Sequence, residues 1–466
     1  MRIDWETVGR CVHRTLNVIE PERSRRLDHL VNIGIDETSY RKGHKYITVV
    51  VNHDTNTVVW AAQGHGKKVL EQCNIFVMGP ASIFMLKYNH VKHEQEGFQM
   101  KTIIAAGHIC VDITPVFPAH HSYEKISDVL IPGKLIRMDG ADVHTGGSVA
   151  NTGLALKLLG NDVRLLGKIG DDAFGTMIRQ LFESYGADGL LTEKGGTTSY
   201  SVVLAVPGID RVFLHAPGAN DTFVSADIPD EAFEGAVLFH FGYPPLMRKM
   251  YEDDGRELEK IFRRAKEHGL ATSLDLAAVD PNSDAGKADW ESILRRVLPY
   301  VDFFEPSFEE LCYMLDRPAY HRLSAAGGDM TDHLDVEKEA GPLAEKLLAM
   351  GCAAVLVKCG ISGMLYRAAG EERLKAVGPK VSVDAAGWAD KRGIQPCFPA
   401  DIVRSGTGAG DTSIAAFLTA VLAGKDIASC AALASAEGAC CVTAYDALSG
   451  LKQLDELEER IAKGWI

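Results

Sequence analysis

Three glycines and a carboxylate crowd into the stretch SGTGAGDTSIAAF (residues 405–417), just ahead of apolar residues at helical spacing. Gly406, Gly408 and Gly410 let the backbone turn its amides toward one point, and the start of a helix adds roughly half a positive charge there. Such a turn is an anion hole. The chain has no GxxxxGK[ST] loop, and Asp411 occupies the position where a dinucleotide fingerprint needs its last glycine. A carboxylate beside an anion hole suits the attack of a hydroxyl on a phosphoryl group. Asp411 would take the hydroxyl proton while the amides of Gly408, Ala409 and Gly410 hold the charge gathering on the group in transit. The structural alternative is a helix cap in which Asp411 only offsets the dipole.

Positioning such a turn is the work of the elements around it. From Met100 onward, IIAAGHICVDI reads as a strand, VANTGLALKLLG as a helix, DVRLLGKIG as a strand and FGTMIRQLFESYG as a helix. GAVLFHFG, LATSLDLAA, VDFFEPS and AAVLVKCG are short apolar strands separated by helical sequence. This alternation predicts an α/β fold, a doubly wound and mostly parallel sheet flanked by helices, with ligands outside the carboxyl ends of its strands. TSYSVVLAVPG and DRVFLHAPG break the rhythm as a hairpin, which predicts a small β-sheet beside the main domain. YEDDGRELEKIFRRAKEHG reads as an amphipathic helix whose charges face solvent.

Two further segments share the character of the glycine turn: HTGGSVANTGLALKLLG (residues 144–160) and KIGDDAFG (residues 168–175). Together the three resemble the ribokinase, or PfkB-type carbohydrate kinase, family from about Met100 to the C-terminus. The resemblance implies a ribokinase-like kinase domain over residues 100–466, with a β lid from about 114–145 and 198–216. It implies substrate hydroxyls held by Asp112, Gly146, Gly147 and Asn151, a carboxylate and an amide being suited to a polyol. It places ATP against Lys358, Gly360, Gly363 and Thr407. Magnesium (Mg2+) would be organised by Glu310 and by Ser307, which stands where the family usually has asparagine. Ser405 stands where many members carry a cation-site aspartate, which puts potassium (K+) activation in doubt. The implied activity is ATP-dependent phosphorylation of a hydroxyl on a small sugar, with Asp411 as general base. A nucleoside is the alternative substrate. A sugar phosphate is disfavoured, because Lys134, Arg137 and Arg211 are scattered in the sequence. The resemblance also leaves room for a homodimer formed through the lid.

The first residues follow a different pattern. WETVGRCVHRTLNVI has helical spacing, and LVNIGIDETSYRKGHKYITVVVNHDTNTVVWAAQGHG reads as three strands joined by Asn and Asp turns. IGIDETSYRKGHKYITVVV and TVVWAAQGHGKKVLE resemble the opening of a DDE-type insertion-sequence transposase core, in which Asp36 would be the first of three metal-binding carboxylates. The resemblance covers about residues 1–75, and two-metal chemistry needs all three carboxylates. The expectation is a truncated, non-functional segment followed by a linker at 76–99. The competing reading is a DNA-binding arm on a catalytically inactive, ligand-sensing regulator.

Bulk properties narrow the partners. The 466 residues carry a net charge of −14, which gives no general attraction for nucleic acid or an anionic membrane. The first 99 residues carry about +2 and the remainder about −16. Ten cysteines form no CxxC pair and lie mostly in apolar runs, as expected of reduced core thiols. Adjacent Cys440 and Cys441 read as core residues too, since neighbouring cysteines rarely reach disulfide geometry. The sixteen histidines make no HxxxH or HExxH pattern that would support zinc. With no signal core and no long apolar span, the expectation is a soluble, cytoplasmic protein.

Overall fold

Apolar strands without alternation need cover on both faces, and the fold supplies it. In the computed structural model the described residues are 33–41, 45–52, 57–63 and 101–465, apart from 119–122, 124, 188, 208, 210 and 333. They belong to two units, Met1–Phe98 and Gln99–Ile466.

The second unit is built on an eight-stranded sheet in the order Arg392–Gln395, Met364–Ala368, Ala354–Lys358, Phe303–Phe304, Ala271–Asp275, Ala236–Gly242, Thr102–Gly107, Asp162–Leu166. Pairing is parallel from Asp162–Leu166 through to Ala354–Lys358, and the last two strands turn back antiparallel. Neighbouring residues on each strand point into opposite cores. Ile104, Phe239, Phe304 and Val355 join one cluster with the helices Arg256–Glu267, Trp290–Val297 and Val336–Ala349. Ile103, Leu238, Phe303 and Leu356 join another with Ser148–Leu158, Ala409–Leu422 and Ile427–Cys441. The sheet is thus wound on both faces, as the βαβ rhythm predicts. The two antiparallel edge strands were not anticipated from sequence.

Three expected elements differ in detail. The single strand read in IIAAGHICVDI breaks at His108 and Ile109: Thr102–Gly107 stays in the main sheet, while Cys110–Val116 enters a second one. The cause is local. Gly107 has φ 126°, and a Cβ there would sit 2.2 Å from the Gly242 carbonyl oxygen. DVRLLGKIG likewise divides, since Lys168–Gly170 pairs with Leu191–Glu193 in a separate two-stranded sheet. The amphipathic helix begins only at Arg256, because Asp253 and Asp254 take left-handed backbone just before it. Its buried Leu258, Ile261, Phe262 and Ala265 keep the helical spacing.

The second sheet has the order Val212–Ala216, Tyr200–Leu204, Cys110–Val116, Gly140–Gly146. It contains the expected hairpin, with Ser201 opposite His215. KIGDDAFG anchors it: the Asp172 carboxylate caps the helix Ala173–Ser184 through the Gly175 amide at 2.8 Å. The same carboxylate accepts from the Thr198 amide at 2.8 Å and the Thr198 hydroxyl at 2.6 Å.

The described part of the first unit is an antiparallel meander of Ile33–Arg41, Lys45–Asn52 and Thr57–Gln63, with Asp36 paired opposite Val49. The helical reading of WETVGRCVHRTLNVI and the linker at 76–99 lie outside the described residues. No helix among the described residues is long and apolar enough to cross a membrane.

Gly107→Ala combines a positive φ with a backbone collision. It is expected to lower the unfolding free energy by at least about 2 kcal/mol, measured by urea denaturation.

Candidate active site

Two helices start at the same place above the carboxyl ends of the strands. Ser148–Leu158 follows Gly147, at φ 85°, and Ala409–Leu422 follows Gly408, at φ 78°. Gly147 is required by close approach as well as by its backbone, since a Cβ there would lie 2.6 Å from His108 Nδ1 and from the His108 carbonyl. Because the two helices pack side by side in one core, their first turns face each other. Asp411 lies buried at that junction. Its Oδ2 accepts from Asn151 Nδ2 at 3.1 Å and its Oδ1 from the Thr152 hydroxyl at 3.0 Å. The Tyr243 hydroxyl donates to both oxygens at 2.8 Å.

The junction opens into a cavity of about 930 Å³. Its lining carries six carboxyl groups, those of Asp112, Asp221, Asp275, Asp280, Glu310 and Asp411, with Lys358 and Arg211 as cations. Lys358 Nζ donates to Asp275 Oδ1 at 2.7 Å. Burial pushes the Asp275 carboxyl up to about 8; Lys358 opposes this, while Glu310 and Asp411 add to it. Burial also works against charge on Lys358, yet Asp275, Glu310 and Asp411 outweigh it and raise the ammonium above its ordinary value. Three carboxyl groups face one ammonium, so Asp275 and Lys358 both hold their protons more tightly than usual.

Asp112 lies in Cys110–Val116, on the second sheet instead of the first strand. Burial raises its carboxyl, against hydrogen bonds from Cys110 and Ser201. Burial, and then the neighbouring His215, lower His108; burial lowers His215, so both imidazoles are neutral near pH 7. Each has a buried ring nitrogen with no partner, Nδ1 of His108 and Nε2 of His215.

Of the residues expected from sequence, Asp112, Gly147, Asn151, Ser307, Glu310, Lys358, Thr407, Gly408, Gly410 and Asp411 line the cavity together. Gly146 packs directly beneath Asp112, where a Cβ would lie 2.1 Å from Oδ2. Ala409 forms the first residue of its helix, its amide leaning 3.4 Å on the Gly406 carbonyl. Gly360 and Gly363 instead shape the hairpin after Lys358, packed against Thr331 and the Gln395 carbonyl, and are not part of the lining. Ser307 and Glu310 form a reciprocal capping box: the Ser307 amide donates to Glu310 Oε2 at 2.8 Å and the Glu310 amide to Ser307 Oγ at 3.3 Å. Ser405 spends its hydroxyl within the glycine turn, on Thr407. Among the described residues no group of three His, Cys, Asp or Glu side chains could hold a metal by itself.

Sequence reasoning missed Tyr243, His108, His215 and Asp275, and treated Arg211 as scattered. Arg211 reaches from the hairpin of the second sheet to the Thr407 hydroxyl in the glycine turn. The sequence carried no periodic signal for these residues, since each sits at a strand end or in the second sheet and is brought in by the crossing of two sheets.

Comparison with known proteins follows this geometry. Residues 101–454 match the family model described as pfkB family carbohydrate kinase, and residues 33–77 match one described as transposase. A transposase for insertion sequence element IS1557 from Mycobacterium tuberculosis is 48% identical over 73 residues, covering 15% of this chain and 16% of the transposase. Fructokinase-2 of Oryza sativa is 27% identical over 176 residues, covering 36% of this chain and 50% of the fructokinase. The chain thus spans half or less of the length of these two relatives. Among solved structures, Arabidopsis thaliana ribokinase complexed with ribose and ATP aligns at a TM-score of 0.56 and 19% identity, covering 78% of this chain and 98% of that one. A putative ribokinase II from E. coli, in complex with ATP and Mg2+, aligns at 0.54 and 20% identity, covering 78% of this chain and 100% of that one. These likenesses establish the ribokinase-like fold.

The raised Asp275 carboxyl sets a pH dependence. Its contribution to stability is full below the ordinary carboxylate value of 3.8 and is lost as pH rises through about 8. Lys358→Met removes the opposing cation and carries that loss to higher pH. The stability gap between variant and wild type is expected to widen above pH 8, toward roughly 3 kcal/mol, in urea denaturation at pH 6 and pH 9.5.

Proposed function

Because the chain belongs, over residues 101–454, to the pfkB family of carbohydrate kinases, we propose that it transfers the terminal phosphoryl group of ATP to a hydroxyl of a small sugar. The observation that carries this reading is the meeting of the two helix starts. It sets a buried carboxylate, Asp411, against a turn of amides and beside the polyol-binding candidates.

The sugar would lie between Asp112 and Asn151, under the lid. Two neutral imidazoles with open ring nitrogens suit hydroxyls, which both donate and accept. Asp411 removes the proton of the attacking hydroxyl. The first-turn amides of residues 408–410 and the helix dipole then stabilise the charge on the phosphoryl group as it passes. Lys358 and Arg211 face the same cavity and supply positive charge toward the phosphates. Water is the competing acceptor, and a closed lid would exclude it.

The residues present fit a magnesium ion brought by the nucleotide. Asp275, Glu310 and Asp411 repel one another in a buried setting, a repulsion that a divalent cation relieves. Glu310, whose Oε2 is taken by the Ser307 amide, has Oε1 left for such an ion or its water, with Asp275 across from it. When bound, the ion would neutralise phosphate charge.

Asp411→Asn is expected to fold normally and to lose roughly 10²–10⁴ in turnover, the worth of a positioned base. ADP release measured over sugars, sugar phosphates and nucleosides checks both the base and the substrate class. Near-normal turnover of the variant, or no stimulation by any acceptor, would sink the reading.

A further inference from the structure

We propose that Tyr243 decides which hydroxyl Asp411 can use, by occupying the acceptor's place on the carboxylate and denying it to water. The proposal rests on the kinase reading above.

A carboxylate has about four acceptor positions. On Asp411, Oδ1 takes Thr152 and Tyr243, and Oδ2 takes Asn151 and Tyr243. Three donors thus cover the four positions, the single phenol hydroxyl lying 2.8 Å from both oxygens, so an incoming hydroxyl must move the phenol aside. Asn151 and Thr152 are fixed in the first turns of a buried helix. Tyr243 shares a single proton between two oxygens, so its contact is the one most readily given up. The phenol thus marks where the acceptor hydroxyl goes.

The backbone shows that this placement is enforced. Tyr243 has φ 67° and ψ 42°, a left-handed conformation rare for a large side chain and disfavoured before proline. Buried Pro244 and Pro245 follow it, its amide bonds the Asp275 carbonyl at 3.3 Å, and its ring stacks on His108 at 6.1 Å. Burial and the nearby Asp411 and Asp275 keep the phenol protonated, so it remains a donor.

A polyol gripped by Asp112 and the two imidazoles brings binding energy with which to displace the phenol. Water brings none. In the suppressed reaction a water oxygen bonds to the terminal phosphorus, the bond to the bridging oxygen of ADP breaks, and ADP leaves with that electron pair. The proton of the water passes to Asp411 and then to solvent, and inorganic phosphate is the other product.

The test uses the full chain with ATP and magnesium, and follows ADP release without acceptor and with D-fructose or D-ribose. Tyr243→Phe keeps the ring and the backbone. It is expected to raise acceptor-free release roughly ten- to a hundredfold, the span carried by one hydrogen bond to a charged group, and to shrink the stimulation by sugar. Thr152→Val removes a donor at 3.0 Å but leaves the phenol in place, and is expected to lower acceptor-free release. No rise in Tyr243→Phe, or an equal rise in both variants, overturns the proposal. Asp411→Asn separates the two levels. If it is inactive while Tyr243→Phe shows no rise, only the role of Tyr243 fails; if it stays active, the kinase reading fails with it.

Discussion

One buried carboxylate organises the C-terminal unit. Asp411 receives hydrogen bonds from Asn151 and Thr152 on one helix and from Tyr243 at the end of a central strand. A carboxyl group so deep is tolerable only when its lone pairs are met, so the helix starts and the strand end are obliged to converge. The close packing of the helices Ser148–Leu158 and Ala409–Leu422 makes that convergence possible. Small residues along the latter, such as Ala415, Ala416 and Ala420, let most of it lie buried. Chemistry and packing therefore share the same few residues.

Beneath the cavity, a second polar chain ties the frame together. Ser148 meets His240 at 3.2 Å, His240 meets Ser273 at 2.7 Å, and Ser273 donates to Glu305 at 2.9 Å. All four side chains are buried. The chain runs from the helix that presents Asn151 across two neighbouring parallel strands to the end of a third, so the register of the sheet is passed directly to the Asn151 side of the cavity. Burial lowers His240 to about 3, with Lys358 adding to the effect, so this imidazole is neutral and links hydroxyls without introducing charge.

Much of this was legible in the sequence because it depends on local pattern. Apolar strand runs, the amphipathic spacing of Leu258, Ile261, Phe262 and Ala265, and the glycine turn before Asp411 each declare themselves within a dozen residues. What stayed hidden depends on distance. Nothing near Tyr243 announces a partner 168 positions away. The Ser307–Glu310 spacing is a capping-box signature as much as a metal motif, and the structure shows the cap in place. The second-sheet placement of Asp112 turned on one glycine, since only the collision at Gly107 reveals that the chain leaves the main sheet there.

That departure has a mechanical meaning. Only His108 and Ile109 separate a strand in the main sheet from a strand in the second, and Asn220 clamps Ile109 through both its amide and its carbonyl. His108 meanwhile bonds Gly242 through its amide and the Val149 amide through its carbonyl. The second sheet therefore has almost no slack at its root, and any shift of it is geared to the His108 ring and to the start of the helix bearing Asn151. On the kinase reading proposed above, closing over a sugar and aligning the base would be one stroke of the same short crank.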